Sequence, residues 1–219
     1  INYEAENDDG ITLKRGAWRI WNGSGPSYSD KVHIRPLMRT YEWSVWNQDE
    51  QKFSCKSVQR PTLSGEFPDS EGGNKCGRLT RAEEEALPDD DPRVVLSQSV
   101  NCNQVIYGVL DAPDATAADG THTPLESVPF MAYFKRSGFR PVRDFIDQQL
   151  TRRKILMQKA VIELSTEKKK NGSVIFWTPK LSLVKEVSIT DADKDLIKMF
   201  GETVKGHNES VMTDYKAAV

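Results

Sequence analysis

Histidine and cysteine are scarce, three of each in 219 residues, and no C-x-x-C pair occurs. An odd, scattered set of thiols (Cys55, Cys76, Cys102) does not make a disulfide scaffold and fits a reducing compartment. Taken with His122 the set is spaced by 21, 26 and 20 residues, which matches no standard zinc site, so free buried thiols are the expected reading. No apolar run approaches the roughly 18–20 residues that cross a bilayer, and no membrane association is expected. Neither G-x-x-x-x-G-K-[ST] nor G-x-G-x-x-G is present, which removes the common phosphate-loop and dinucleotide fingerprints. No nucleophile stands beside a base, and His33, His122 and His207 fall in expected loops or ends. A catalytic role is therefore not expected, and neither is a cofactor or a metal. The run D-A-D-K-D at 191–195, with Glu202 in twelfth place, imitates a calcium loop but has Leu196 where glycine is needed. Acidic groups at a helix start explain it better.

What the chain does have is charge, unevenly placed. Residues 135–185 hold 13 Lys and Arg against 4 Asp and Glu, a local net of +9; the whole chain is −2, so the remainder carries −11. A positive face on an acidic body is the electrostatic footprint expected for a polyanion, most often nucleic acid. Composition is otherwise ordinary for a folded chain, 37% hydrophobic and 28% charged, enough for one domain with an insertion. The first residue is Ile1 rather than Met, so the start is expected to be processed, trimmed or unobserved, and a leader ahead of it stays open.

Strand and turn signals order the chain. An acidic lead-in occupies 1–10. R-G-A-W-R-I-W (15–21) reads as a strand ending in the turn cluster N-G-S-G-P-S. L-M-R-T-Y-E-W-S-V-W (37–46) and K-F-S-C-K-S-V (52–58) read as a hairpin across N-Q-D-E-Q. Residues 61–93, rich in Pro, Gly, Glu and Asp, read as a surface excursion with one short helix near 81–86. Strands are expected at 94–97, 104–110 and 128–135. Pro141 opens a helix whose stripe is Val142, Phe145, Ile146 and Leu150. Thr190 and Asp193 form a capping-box pattern before Leu196, Ile197, Phe200 and Val204, and a last helical stretch is expected near 209–218.

Between the two helical regions lies a hairpin, K-K-K-N-G-S flanked by apolar-rich runs. A two-residue turn at Asn171-Gly172 sets Lys170 opposite Ser173. Ile162 then faces Leu181, Ala160 faces Leu183 and Leu164 faces Pro179 on an apolar face. Glu163 faces Lys180 and Glu167 faces Phe176 on the other. Trp177 is expected on the apolar face and Phe176 on the polar one.

A helix before a final strand pair is the order of an OB barrel. The expected fold is mainly β with α (α+β): an OB-like five-stranded barrel over 11–188, with an insertion at 61–93, followed by C-terminal helices over 189–219. The stretch V-P-F-M-A-Y-F-K-R-S-G-F-R-P-V-R-D-F-I, the basic hairpin and the capped helix ending M-T-D-Y-K-A-A-V resemble bacteriophage-type single-stranded DNA-binding proteins with an OB fold. The resemblance covers roughly 100–219, with a weaker echo from Gly16. It implies a protein that coats exposed strands in phage DNA replication or recombination, in a bacterial host's cytoplasm, beside replication or recombination partners. Many such proteins end in an acidic recruiting tail, whereas these residues end K-A-A-V.

Single-stranded binding needs cations along the backbone and rings for the bases. The W-x-x-W pairs Trp18/Trp21 and Trp43/Trp46 place one ring of each pair outward if both lie on strands. The candidate nucleic-acid-binding residues are Arg19, Trp21, Arg39, Trp43, Trp46, Lys135, Arg136, Arg140, Arg152, Arg153, Lys168, Lys169, Lys170, Phe176 and Lys180. The function expected is binding of single-stranded DNA, or RNA, without strong sequence preference. Two alternatives stay open: a viral structural or assembly protein, and a metal-dependent nuclease built on the acidic runs Glu83–Glu85 and Asp89–Asp91.

Overall fold

The computed structural model describes residues 5–6, 12–13, 15–23 and 25–218, and most of the acidic lead-in lies outside them. β1 (Ala5–Glu6) pairs with β2 (Thr12–Leu13). β3 (Trp18–Trp21) and β4 (Pro26–Ser29) form a hairpin. β5 (Val32–Asn47) turns back into β6 (Lys52–Lys56) as the expected hairpin, with Val45 opposite Cys55 and a bulge between Val45 and Trp46. Two helices follow, α1 (Arg81–Glu85) and α2 (Pro92–Ser99). Next come β7 (Asn101–Ala112), β8 (Thr116–Ala117), which extends the β3–β4 hairpin, and β9 (Leu125–Lys135). α3 (Phe139–Asp144) runs on into a π-helical turn, Phe145–Leu150. The long hairpin β10 (Ala160–Asn171) and β11 (Val174–Glu186) precedes α4 (Asp191–Ala218).

The chain is mixed α/β with a mostly antiparallel sheet and a C-terminal helix. The main sheet runs β11-β10-β5-β7-β9, with β6 added on β5. It is not closed into a barrel, which corrects the five-stranded barrel expected above. Helix-then-hairpin order is satisfied equally by an open sheet, and closure depends on pairings that chain order does not specify. Pro179 shows β11 to be a natural edge, since proline cannot donate to a further ladder. On β5, pairing with β10 reaches Ile34 and stops two residues before Pro36, whose nitrogen has no proton to give.

Two compact units divide the chain. One contains the described residues up to Met38 with Tyr107–Ala132 and Ser137–Leu196; the other contains Arg39–Ile106, Tyr133–Arg136 and Ile197–Val219. In the first, Ile34, Ile162 and Leu164 are buried, and so is the expected stripe Val142, Phe145, Ile146 and Leu150. In the second, Val45, Cys55, Cys76 and Val100 cluster with Trp43 packed against them.

The expected strand at 94–97 is helical. Asp91 caps α2 by accepting the Arg93 N–H and Pro92 takes the first turn, so local capping outweighs the β-branched Val94-Val95 pair. The Thr80–Glu83 capping box starts α1 where a short helix was expected. The C-terminal helices are a single helix. Its capping box is present as read: Asp193 N–H donates to Thr190 Oγ1 at 3.2 Å, and Thr190 N–H donates to Asp193 Oδ2 at 2.7 Å.

The hairpin register differs from expectation by two residues. Gly172 and Ser173 are the turn, Asn171 faces Val174, and Leu164 faces Leu181. Gly172 takes φ +58° and Asn171 is not left-handed, which fits a turn of type II′ with glycine first rather than the type I′ turn that Asn171-Gly172 requires. A slip of two exchanges partners but keeps every side chain on its face, because strand alternation has period two. Ser165 rather than Glu163 therefore faces Lys180, and Thr178 rather than Phe176 faces Glu167. A bulge between Val161 and Ile162 leaves Val184 without an opposite residue, so Ala160 faces Glu186 rather than Leu183.

Two glycines make a test of packing. A Cβ on Gly108 in β7 would lie 2.2 Å from the Arg35 carbonyl oxygen, whereas one on Gly201 in α4 would meet nothing within 4 Å. Gly108→Val is expected to unfold or strongly destabilise the protein, while Gly201→Ala stabilises it by about 0.5–1 kcal/mol in urea denaturation. Asp193, 2% exposed, supplies the second test. Burial raises its pKa, but the Thr190 hydrogen bonds and the Arg35 guanidinium together outweigh this and hold the carboxyl below its usual range. A depressed folded value means stability that is present above the unfolded value of ~3.9 and is lost as pH falls through the folded one. Asp193→Asn is expected to lower Tm at neutral pH, and the gap to the parent should close in acid when Tm is followed against pH.

Candidate nucleic-acid interface

In the first unit the hairpin carries the densest positive charge. Lys168, Lys169 and Lys170 occupy the last turnward positions of β10 and are exposed. Lys168 Nζ lies 5.9 Å from the Trp177 ring centroid, and Lys169 Nζ lies 2.7 Å from a Glu167 oxygen. Beyond them Val174 and Ile175 are exposed at the tip, an apolar feature that the sequence reading passed over. Lys180 is exposed on β11. Trp177 is half-buried and lies so close to Gly16 that a Cβ there would stand 2.6 Å from the ring. Phe176 is also half-buried, so it is less open than a solvent-facing position implies. Neighbouring Thr178 is buried, and among the described residues its Oγ1 has no hydrogen-bond partner.

Elsewhere in this unit Arg19 is exposed and Trp21 is 66% exposed, while Trp18 is half-buried. The outward–inward split of this W-x-x-W pair follows from strand alternation. Arg140 and Arg143 both bond Asp144, whose carboxyl is held low chiefly by the hydrogen bond from Arg143. Part of the helix's positive charge is thereby balanced locally. Arg152 stands exposed at the end of the helical run and Arg153 in the turn that follows.

The second unit carries a different patch. Trp46 and Phe53, each 38% exposed, meet edge to face at 4.9 Å across the β5–β6 hairpin. Lys56 Nζ sits 4.2 Å from the Phe53 ring centroid. Phe53, Lys56, Ser70, His207 and Asp214 line an open groove of about 390 Å³. Phe53 and Lys56 are not among the residues selected from sequence. The signal was present in K-F-S-C-K, one strand from W-x-x-W, but needed the hairpin pairing to be read. Trp43 is half-buried, packing edge-on to Phe67 at 6.4 Å. Arg39 is half-buried with its guanidinium 5.4 Å from the Tyr41 ring centroid, which makes it a core-margin residue more than a free phosphate contact. Lys135 and Arg136 are exposed, and Arg136 Nε donates to Asn101 Oδ1 at 2.7 Å. Expected site residues thus fall in both units.

The acidic runs have structural duties. Glu83 caps α1, Glu84 meets Arg78 and Ser97, Glu85 pairs with Arg81, and Asp91 caps α2 and pairs with Arg93. Cys55, Cys76, Cys102 and His122 do not assemble. His122 is exposed, its Nε2 2.8 Å from the Pro113 carbonyl oxygen, and burial pushes the Cys102 thiol up to about 12. Cys55 and Cys76 instead meet Asp69. No helix among the described residues is long and apolar enough to cross a membrane.

Set against protein-family models, curated proteins and solved structures, the chain matches none.

Trp21 on β3 is largely exposed, whereas Trp177 on β11 packs against Gly16. Trp177→Ala is expected to cost roughly 2–4 kcal/mol by opening a void against Gly16. Trp21→Ala should change stability by less than about 0.5 kcal/mol. Chemical denaturation of the two variants compares them directly.

Proposed function

We propose that this protein is a non-catalytic binder of single-stranded nucleic acid, DNA foremost, with little sequence preference. The observation that carries the reading is that each unit by itself presents both cations and aromatic rings, Lys168–Lys170 and Trp21 in the first and Lys56 with Trp46 and Phe53 in the second. The +9 segment presents three exposed lysines on one hairpin, and Trp46, Phe53 and Lys56 form a ring-and-cation patch beside a groove. Cations follow a phosphate backbone and rings stack bases, each stacked base contributing about 1–3 kcal/mol. The acidic remainder of the chain disfavours polyanions elsewhere on the surface. A part in phage DNA replication or recombination, in a bacterial host's cytoplasm, is what the resemblance noted above adds to this proposal.

Titration of tryptophan fluorescence with poly-dT at two salt concentrations tests the reading. Affinity is expected to fall with a log–log slope of about −0.7 per phosphate neutralised, and duplex of equal length to bind more weakly. Lys168→Ala, Lys169→Ala and Lys170→Ala together should flatten the slope, with Lys169 contributing least because Glu167 already holds it. Trp46→Ala and Phe53→Ala should each weaken binding by about 1–3 kcal/mol. Binding that ignores salt, or that prefers duplex, overturns the reading and leaves an interaction or assembly role for the basic hairpin.

A further inference from the structure

Three donors from three separate stretches converge in the second unit. Cys55 comes from β6, Asp69 from the loop that follows, and Cys76 from a tight turn at Lys75–Gly77. Both sulfurs and a carboxylate oxygen lie within 4.8 Å of one another, and the residues are 6%, 1% and 4% exposed. We propose that Cys55, Asp69 and Cys76 bind one thiophilic divalent cation, zinc by its chemistry, as a clip on the irregular segment between β6 and α1.

Bond lengths allow it. Zn–S at ~2.3 Å and Zn–O near ~2.1 Å, at tetrahedral angles, set neighbouring donor atoms roughly 3.6–3.8 Å apart. The donors therefore need to draw in by about an ångström at most. Two thiolates select zinc over magnesium or calcium. The carboxylate is also oriented as metal-bound carboxylates are: Asp69 Oδ1 accepts from Glu71 N–H at 3.1 Å and Gly73 N–H at 3.0 Å, and Oδ2 accepts from Cys76 N–H at 2.7 Å. Asp69 is buried, and among the described residues no Lys or Arg pairs with it.

The backbone agrees with this assignment. Lys75 and Cys76 take φ +54° and +53°, followed by Gly77 at +78°. Left-handed non-glycine residues are costly and persist where the surroundings over-determine them. A bond from Cys76 Sγ to a metal supplies such a constraint. Between β6 and the Lys75–Gly77 turn the chain forms only isolated bridges, so a crosslink from Cys55 to Cys76 closes a long loop that secondary structure does not hold. The fourth position falls to water. The same clip steadies the proposed groove, because Phe53 and Lys56 share a strand with Cys55, and Ser70 follows Asp69.

Metal analysis of the full chain purified without chelator should give one zinc per chain. Cobalt(II) added to stripped, reduced protein should give a near-ultraviolet thiolate-to-cobalt charge-transfer band. Cys55→Ser and Cys76→Ser should abolish the band, Asp69→Asn should weaken zinc binding by at least about tenfold because it removes the anionic oxygen ligand, and Cys102→Ser should retain the band. Should the serine variants fail to fold, the parent protein decides alone: zinc must raise the Tm of the stripped chain, and alkylation of both thiols must prevent it. Absence of zinc and of the cobalt band in protein with titratable thiols overturns the proposal. So does a cobalt band that survives both serine substitutions, or a Cys55–Cys76 disulfide whose reduction yields no metal uptake.

Discussion

The structure depends on a strand with no free face. β7 is buried along nearly its whole length, and the backbone of β5 comes so close that only a glycine fits at position 108. A central strand of this kind must find cover on both sides and partners at both edges, because buried backbone donors and acceptors left unpaired are costly. The order β10-β5-β7-β9 answers that demand. β5 in turn pairs with β10 at Val32–Ile34, and the hairpin β10–β11 built on that pairing is where the basic charge concentrates.

Burial of polar groups makes the second unit specific. Glu42, 1% exposed, accepts from Gln59 Nε2 at 2.9 Å and Asn103 Nδ2 at 3.2 Å. Gln59 Oε1 accepts from Thr40, and its backbone exchanges two hydrogen bonds with Asn208 of α4. His207 lies one residue away, its Nε2 3.0 Å from the Ser57 carbonyl oxygen and 3.7 Å from Glu42. A network in low dielectric is strong when its members are satisfied. It locates the second half of α4 by polar groups as well as by Phe200 and Val211, and thereby positions His207 and Asp214 along the groove.

Several elements were legible because their causes are local. Capping groups start α1 and α4, the stripe Val142, Phe145, Ile146 and Leu150 is buried, and the hairpin's faces follow from alternation. Where local causes compete, the reading failed. Val94 and Val95 suggested a strand, yet Asp91-Pro92 capped a helix. Asn171-Gly172 suggested one turn, yet Gly172-Ser173 made another. In the first case the cap decided and in the second the turn's dihedral demands, and both lie within the sequence for a reader who ranks them correctly.

The sequence alone determined the segregation of charge, the alternation that sends Trp21 outward and Trp18 inward, and the capped helical ends, because each rests on neighbours a few residues apart. Tertiary structure alone decided that the sheet stays open, that Phe53 and Lys56 join Trp46, and that Asp69 rather than Cys102 or His122 stands with Cys55 and Cys76. Those outcomes depend on which distant segments pair across a buried strand. Spacing along a chain does not encode that choice until the core has selected it.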